Sequence, residues 1–153
     1  MESATASPLV SPAGALVGAA PIPVFHTVVS ADQNSGYPAI ASDGNQFLVT
    51  YLDNRNSGTG PTDLRVSASR ITAAGVLLDG TADAPGIAVT NATGVSEWPP
   101  AAAYYGGLFR LLWGQYGVAL SPIVLTGGSV TPGGKVANSG GWSALQTTAV
   151  APA

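Results

Sequence analysis

The strongest constraint on this chain is that it repeats itself. Ser11-Pro12-Ala13-Gly14-Ala15-Leu16-Val17 matches Thr72-Ala73-Ala74-Gly75-Val76-Leu77-Leu78 at an offset of 61. Tyr37-Pro38 matches Trp98-Pro99 at the same offset, and Asp43-Gly44-Asn45-Gln46-Phe47-Leu48-Val49-Thr50-Tyr51 matches Tyr105-Gly106-Gly107-Leu108-Phe109-Arg110-Leu111-Leu112-Trp113 at 62. Ile22-Pro23-Val24 also matches Ile87-Ala88-Val89. A third, shorter copy reads as Thr126-Gly127-Gly128-Ser129-Val130, followed by Trp142 in the place of Trp98. Repeats of this length are supersecondary units that cannot bury an apolar face alone and must stack on one another.

Each copy reads as short strands joined by tight turns. Phe47, Val49 and Tyr51 alternate with Leu48 and Thr50, and Phe109, Leu111 and Trp113 alternate with Arg110 and Leu112. A period of two marks a strand with one face turned inward. Asp43-Gly44 and Gly106-Gly107 are hairpin signals, because primed turns need residues that tolerate positive φ. No stretch carries helical spacing with a cap. The reading is an all-β chain of antiparallel β-meander repeats, with strands near 38–42, 46–52, 64–71 and 86–90. The expected division is a partial repeat at 1–36, a full repeat at 37–97, a shorter one at 98–141 and a partial third at 142–153.

Composition then narrows the function classes. The chain has 153 residues, with 5 Lys+Arg against 8 Asp+Glu and a formal net charge of −3. Only 8% of residues are charged, where an ordinary soluble domain carries roughly 25%. Five scattered basic residues argue against a nucleic-acid partner, since phosphate binding needs several on one face. The apolar stretch 8–25 is interrupted by Pro8, Pro12, Pro21 and Pro23, so it does not read as a spanning helix and no membrane insertion is expected. Met1-Glu2 lacks the positive start of a signal peptide. The absence of cysteine excludes disulfides and thiolate ligands.

The order Pro38-Ala39-Ile40-Ala41-Ser42-Asp43-Gly44-Asn45-Gln46-Phe47-Leu48-Val49-Thr50-Tyr51-Leu52-Asp53-Asn54-Arg55, then Arg65 to Ile71, then Ala74-Gly75-Val76-Leu77-Leu78-Asp79 resembles the repeats of secreted bacterial β-propeller proteins. In those an A-x-D-G-x-x-Y-L-V-x-W-x-D-x-R strand pair precedes an R-x-x-x-x-G-x-x-L-D pair. The resemblance covers the first full copy well and the second loosely, where Tyr105 replaces Asp43 and Gln115-Tyr116 replaces Asp53-Asn54. It implies propeller-blade-like units in a mostly non-catalytic protein located extracellularly or at the cell surface. Propellers close with about four to eight blades, whereas this chain holds between two and three. Completion by self-association through open β-edges is therefore expected.

Few residues suggest chemistry. His26 is the only histidine and no nucleophile motif accompanies it, so no enzyme activity, catalytic residue or cofactor is expected. The loop from Asp53 to Asp63 is a weak calcium candidate through Asp53, Asn56 and Asp63, weakened by Arg55 at the third position. Asn91-Ala92-Thr93 fits an N-glycosylation acceptor. Among the aromatics, Tyr37 with Trp98 and Tyr51 with Trp113 recur and are expected in the core. Tyr104, Tyr105 and Tyr116 do not recur and are the expected ligand-binding surface. The leading expectation is a non-catalytic structural protein whose partners are copies of itself. The alternative is a carbohydrate-binding, lectin-like module whose partners are surface glycans.

Overall fold

A computed structural model describes residues 3–10, 16–27, 35–53, 64–81, 84, 86–90, 95–117 and 124–139, with the backbone alone for 3–10, 16–27, 35, 95, 96, 116, 117, 124 and 139. The protein is all-β. The strands in chain order are β1 (Ser3–Val10), β2 (Leu16–Thr27), β3 (Ser35–Ser42), β4 (Gln46–Asp53), β5 (Arg65–Thr72), β6 (Ile87–Ala88), β7 (Val95–Glu97), β8 (Ala101–Tyr105), β9 (Leu108–Gly117), β10 (Val124–Val130) and β11 (Val136–Ser139). Among the described residues no helix is present, and so none long and apolar enough to cross a membrane.

Three antiparallel sheets form. β1 pairs with β2, the order β3-β4-β5-β6 makes a second sheet, and β7, β8, β9, β10 and β11 make a third. Both β7 and β8 pair with β9, so they are two halves of one interrupted strand and the third sheet is four positions wide. The second and third sheets thus follow the chain in the same meander order. Their registers agree as well: Ala39 faces Thr50 and Ser42 faces Phe47 in one, while Ala101 faces Leu112 and Tyr104 faces Phe109 in the other.

Turn chemistry explains where the strands reverse. Gly106 and Gly107 connect β8 to β9 with φ of 61° and 78°, and two consecutive positive φ values are what a type I′ hairpin demands. After β5, Val76 N–H donates to Thr72 Oγ1 at 3.0 Å and Thr72 N–H to the Val76 carbonyl at 2.9 Å. After β10 the same pair of bonds joins Lys135 and Thr131, at 3.1 and 2.8 Å. The segment Thr126 to Val130, read above as a turn-forming third copy, is instead strand β10. Its glycines hide the strand pattern, and the turn equivalent to Thr72–Val76 lies five residues later at Thr131-Pro132-Gly133-Gly134-Lys135.

The core lies between the two larger sheets. Leu48, Leu52, Val66 and Ala68 on one face of β4 and β5 pack with Phe109, Leu111, Trp113 and Val130 on one face of β9 and β10. The alternation in β4 and β9 dictates this, since side chains on successive residues point to opposite faces. The reverse face of β4 and β5 buries Val49, Tyr51 and Ile71 with Leu77 against them. Phe47, grouped by pattern with these, is only half-buried because it stands next to the β3–β4 turn.

Candidate functional site

The richest polar cluster joins the two sheets. Arg70 forms a two-pronged ion pair with Asp79, Nε to Oδ2 at 2.7 Å and Nη2 to Oδ1 at 2.8 Å, and Arg70 N–H also donates to Asp79 Oδ2 at 3.0 Å. The planar guanidinium fork matches a carboxylate in this way. Arg70 Nη1 donates to the Pro132 carbonyl at 2.6 Å, and Gln46 Nε2 donates to the same oxygen at 2.8 Å. The turn of the third sheet is therefore held by two side chains of the second. The hydrogen bonds to Asp79 push the Arg70 guanidinium pKa up, against the effect of burial.

Asp43 organises the β3–β4 turn. Its Oδ1 accepts from the N–H groups of Asn45 and Gln46, both at 2.8 Å, and its Oδ2 accepts from Gln46 Nε2 at 3.1 Å. Burial pushes the carboxyl up, but the bonds from Asn45 and Gln46 outweigh it and hold the pKa below the usual aspartate value. A second carboxylate is interior. Glu97 Oε2 accepts from Thr90 Oγ1 at 2.7 Å and from Val66 N–H, so β7 of one sheet is tied to β5 of the other. These contacts explain Arg70, Asp79, Asp43 and Glu97 as parts of the framework.

The aromatic residues divide differently from the sequence expectation. Tyr51 and Trp113 are wholly interior, as the recurrence argument has it. Tyr37 and Trp98 are not: they are 64% and 50% exposed. The reason is a matched bulge. Gly36 faces Leu52 and Ala39 faces Thr50, so three steps along β3 meet two along β4. Glu97 faces Gln115 and Ala101 faces Leu112, so four steps meet three. The extra residue puts Tyr37 inside the bulge of β3. Trp98 instead keeps a ladder bond, its backbone N–H donating to the Gly114 carbonyl at 2.8 Å. It so takes the register place of Gly36, with Pro99 in that of Tyr37. The aromatic-proline pairs are therefore one register step apart in the two sheets, and their likeness in sequence marks the neighbourhood of the bulge and not a core position. The signal in the sequence was the aromatic-proline pair, because proline cannot donate to a ladder and sits at bulges and edges.

Of the predicted ligand-binding residues, Tyr104 and Tyr105 lie at the β8–β9 turn, Tyr105 strongly exposed and Tyr104 tilted against Phe109 with ring centroids 5.1 Å apart. Tyr116 lies at the far end of β9, its backbone opposite Ser96. Eight residues of strand separate it from Leu108 at the turn, roughly 27 Å at strand rise, so the three tyrosines do not converge. Asp53 ends β4 in a buried position opposite Arg65. Asn56, Asp63 and Asn91 lie outside the described residues. Among the described residues no group of three or more His, Cys, Asp or Glu could hold a metal ion.

No family model matches the chain, and no curated protein or solved structure shows significant similarity to it.

Proposed function

We propose that this chain is a non-catalytic structural protein of the cell exterior, built of propeller-blade-like units and assembled with copies of itself. One observation carries the reading: the same sheet face is closed in one sheet and open in the next. In the second sheet Ala41 and Leu48 are buried in the core shared with the third sheet, and Thr50 is buried on the same face. At the matching register of the third sheet, Ala101, Ala103 and Leu112 are exposed, Leu112 at 39%. An apolar side chain in that setting calls for a further layer.

The β1–β2 hairpin of a second copy suits that place. Val10 pairs with Leu16, as Ile71 pairs with Leu77 and Val130 with Val136, each over five intervening residues of the form Ser/Thr-x-x-Gly-x. The hairpin therefore corresponds to the outer part of a unit. Among the described residues it pairs with no other strand, and a two-stranded hairpin alone is marginal in water. The edge formed by β3, β7 and β8 is less suited to strand addition, because Pro38, Pro99 and Pro100 interrupt it.

Light scattering tests the proposal. The full chain should give a mass above that of a monomer, and Leu112→Lys, a change at an exposed position, should reduce it to a monomer while leaving the far-ultraviolet circular dichroism unchanged. Removal of residues 1–26 should do the same. A mass unchanged by both variants, or a monomeric parent, overturns the assembly.

A further inference from the structure

The bulged edge of the two larger sheets carries a feature that assembly through the Leu112 face does not use. Tyr37 is the one non-glycine residue with positive φ among the described residues, at 55°. This region disfavours side chains with a Cβ, and tyrosine has none of the local hydrogen-bonding that lets Asn or Asp occupy it. Proline follows directly, which further restricts the tyrosine backbone. The strain is spent on holding a large ring in water, since Tyr37 is among the most exposed apolar residues. Strained backbone that serves no core packing points to a surface role. Trp98 places a second exposed ring beside the bulge of the neighbouring sheet, its backbone N–H anchored to the Gly114 carbonyl at 2.8 Å.

We infer that Tyr37 and Trp98 form a stacking platform for a neutral linear oligosaccharide. Three properties of the edge select that chemistry. First, the charges near this edge are interior or absent: Glu97 beside Trp98 is buried and engaged with Val66 and Thr90, Asp53 across from Ser35 is buried opposite Arg65, and no charged residue stands between Gly36 and Ser42, so the edge favours a neutral ligand. Second, aromatic faces open to water suit a ligand that is apolar on its ring face and hydroxylated at its rim. Third, the prolines that interrupt the edge remove backbone donors and disfavour an extended peptide, which needs a continuous ladder.

Spacing adds that the ligand must be longer than one sugar. The Glu97 side chain reaches Val66, Val66 faces Leu52 and Leu52 faces Gly36, so the backbone beside Trp98 and the backbone beside Tyr37 are separated by two strand spacings and a side-chain length, roughly 10–15 Å. One ring cannot cover both aromatics. Affinity should therefore rise with chain length until both are engaged.

The test uses the full chain on an array of neutral glucose-, mannose-, galactose- and N-acetylglucosamine-based oligosaccharides from one to six units, followed by titration with tryptophan fluorescence. Expected is binding to at least one series, at least tenfold tighter for trimers than for the monosaccharide. Trp98→Ala and Tyr37→Ala should each weaken the trimer at least tenfold and flatten the length dependence. Tyr37→Gly should weaken the same binding as much as Tyr37→Ala does, without lowering the melting temperature, because glycine accepts the backbone conformation. That separates a ligand-contacting ring from a structural one. Neither Tyr37→Gly nor Trp98→Ala should change the mass by light scattering, so this inference and the assembly proposal fail independently. No binding to any series, binding indifferent to both aromatics, or binding only of an alternating Val-Thr hexapeptide included as a control overturns the inference.

Discussion

Trp113 and Gly128 show how the two sheets solve one packing problem with different residues. Tyr51 in the second sheet places its hydroxyl 3.2 Å from Ser69 Oγ, and its oxygen accepts from Gly86 N–H at 3.3 Å. Trp113, at the matching position, is larger, and Gly128 stands where Ser69 would. A Cβ on Gly128 would lie 3.0 Å from Trp113 Cη2 and 2.8 Å from the Asn138 carbonyl oxygen. Among the described residues the buried indole Nε1 has no hydrogen-bond partner, so the exchange gave up the polar bond that Tyr51 makes. Gly128→Ala should destabilise the protein by about 1–3 kcal/mol, the usual cost of overpacking a filled core. Trp113→Tyr in the same chain should recover part of that loss and not all, because the Asn138 oxygen remains. Urea denaturation of the four chains of this cycle measures it. An equal loss in both backgrounds would show that the indole is not the obstacle.

At the scale of the element, the β3–β4 turn depends on ionised Asp43. Its carboxylate satisfies two backbone N–H groups that the turn leaves without ladder partners. Its pKa is lower in the folded state than the ordinary aspartate value, so the folded protein binds the proton less readily than the unfolded chain. The sign follows from linkage: the contribution is fully present above the unfolded value near 3.9 and is lost as pH falls through the lower folded value. Asp43→Asn cannot show that loss. Melting temperatures of the parent and Asp43→Asn chains, measured between pH 6 and pH 2, should converge toward the acid end, with the parent falling more steeply. Parallel curves would remove Asp43 from the acid response. The second copy needs no such carboxylate, since Gly106 and Gly107 turn the chain with backbone conformation alone.

At the scale of the whole molecule, polar links at two places fasten sheets that share an apolar core, with Gln46 joining Arg70 at one of them. Glu97 reaches from β7 to Val66 in β5, and Arg70 reaches from β5 to the Pro132 carbonyl. The Arg70–Asp79 pair is mostly shielded, with side-chain exposures of 15% and 16%, so removing one member leaves a charge without its bonds in a poorly hydrated place. Arg70→Ala should cost about 2 kcal/mol, the scale of a lost charged hydrogen-bond set. Asp79→Asn should cost less, because the amide still accepts at one oxygen. Combining the two should cost less than their sum, and strict additivity by denaturant titration would sink the claim that they act together.

The alternation in β4 and β9, the glycine-bearing turns at Asp43-Gly44 and Gly106-Gly107 and the turn at Ala74-Gly75 were legible in the sequence because each depends on local rules: the two-residue period of a strand and the φ a turn requires. The strands expected near 38–42, 46–52, 64–71 and 86–90 correspond to β3, β4, β5 and β6 for that reason. What only the tertiary structure decided are relations between residues that are neighbours in space alone. The bulge that turns Tyr37 outward, with its counterpart beside Trp98, is a mismatch between two strands, which one strand's pattern cannot reveal. Arg70 and Gln46 meeting at the Pro132 carbonyl depends on how one sheet lies on the next. The open Leu112 face has the same origin. Alternation sets Phe109 and Leu112 on opposite faces of β9, and the position of a neighbouring layer decides that the first is covered and the second is left in water.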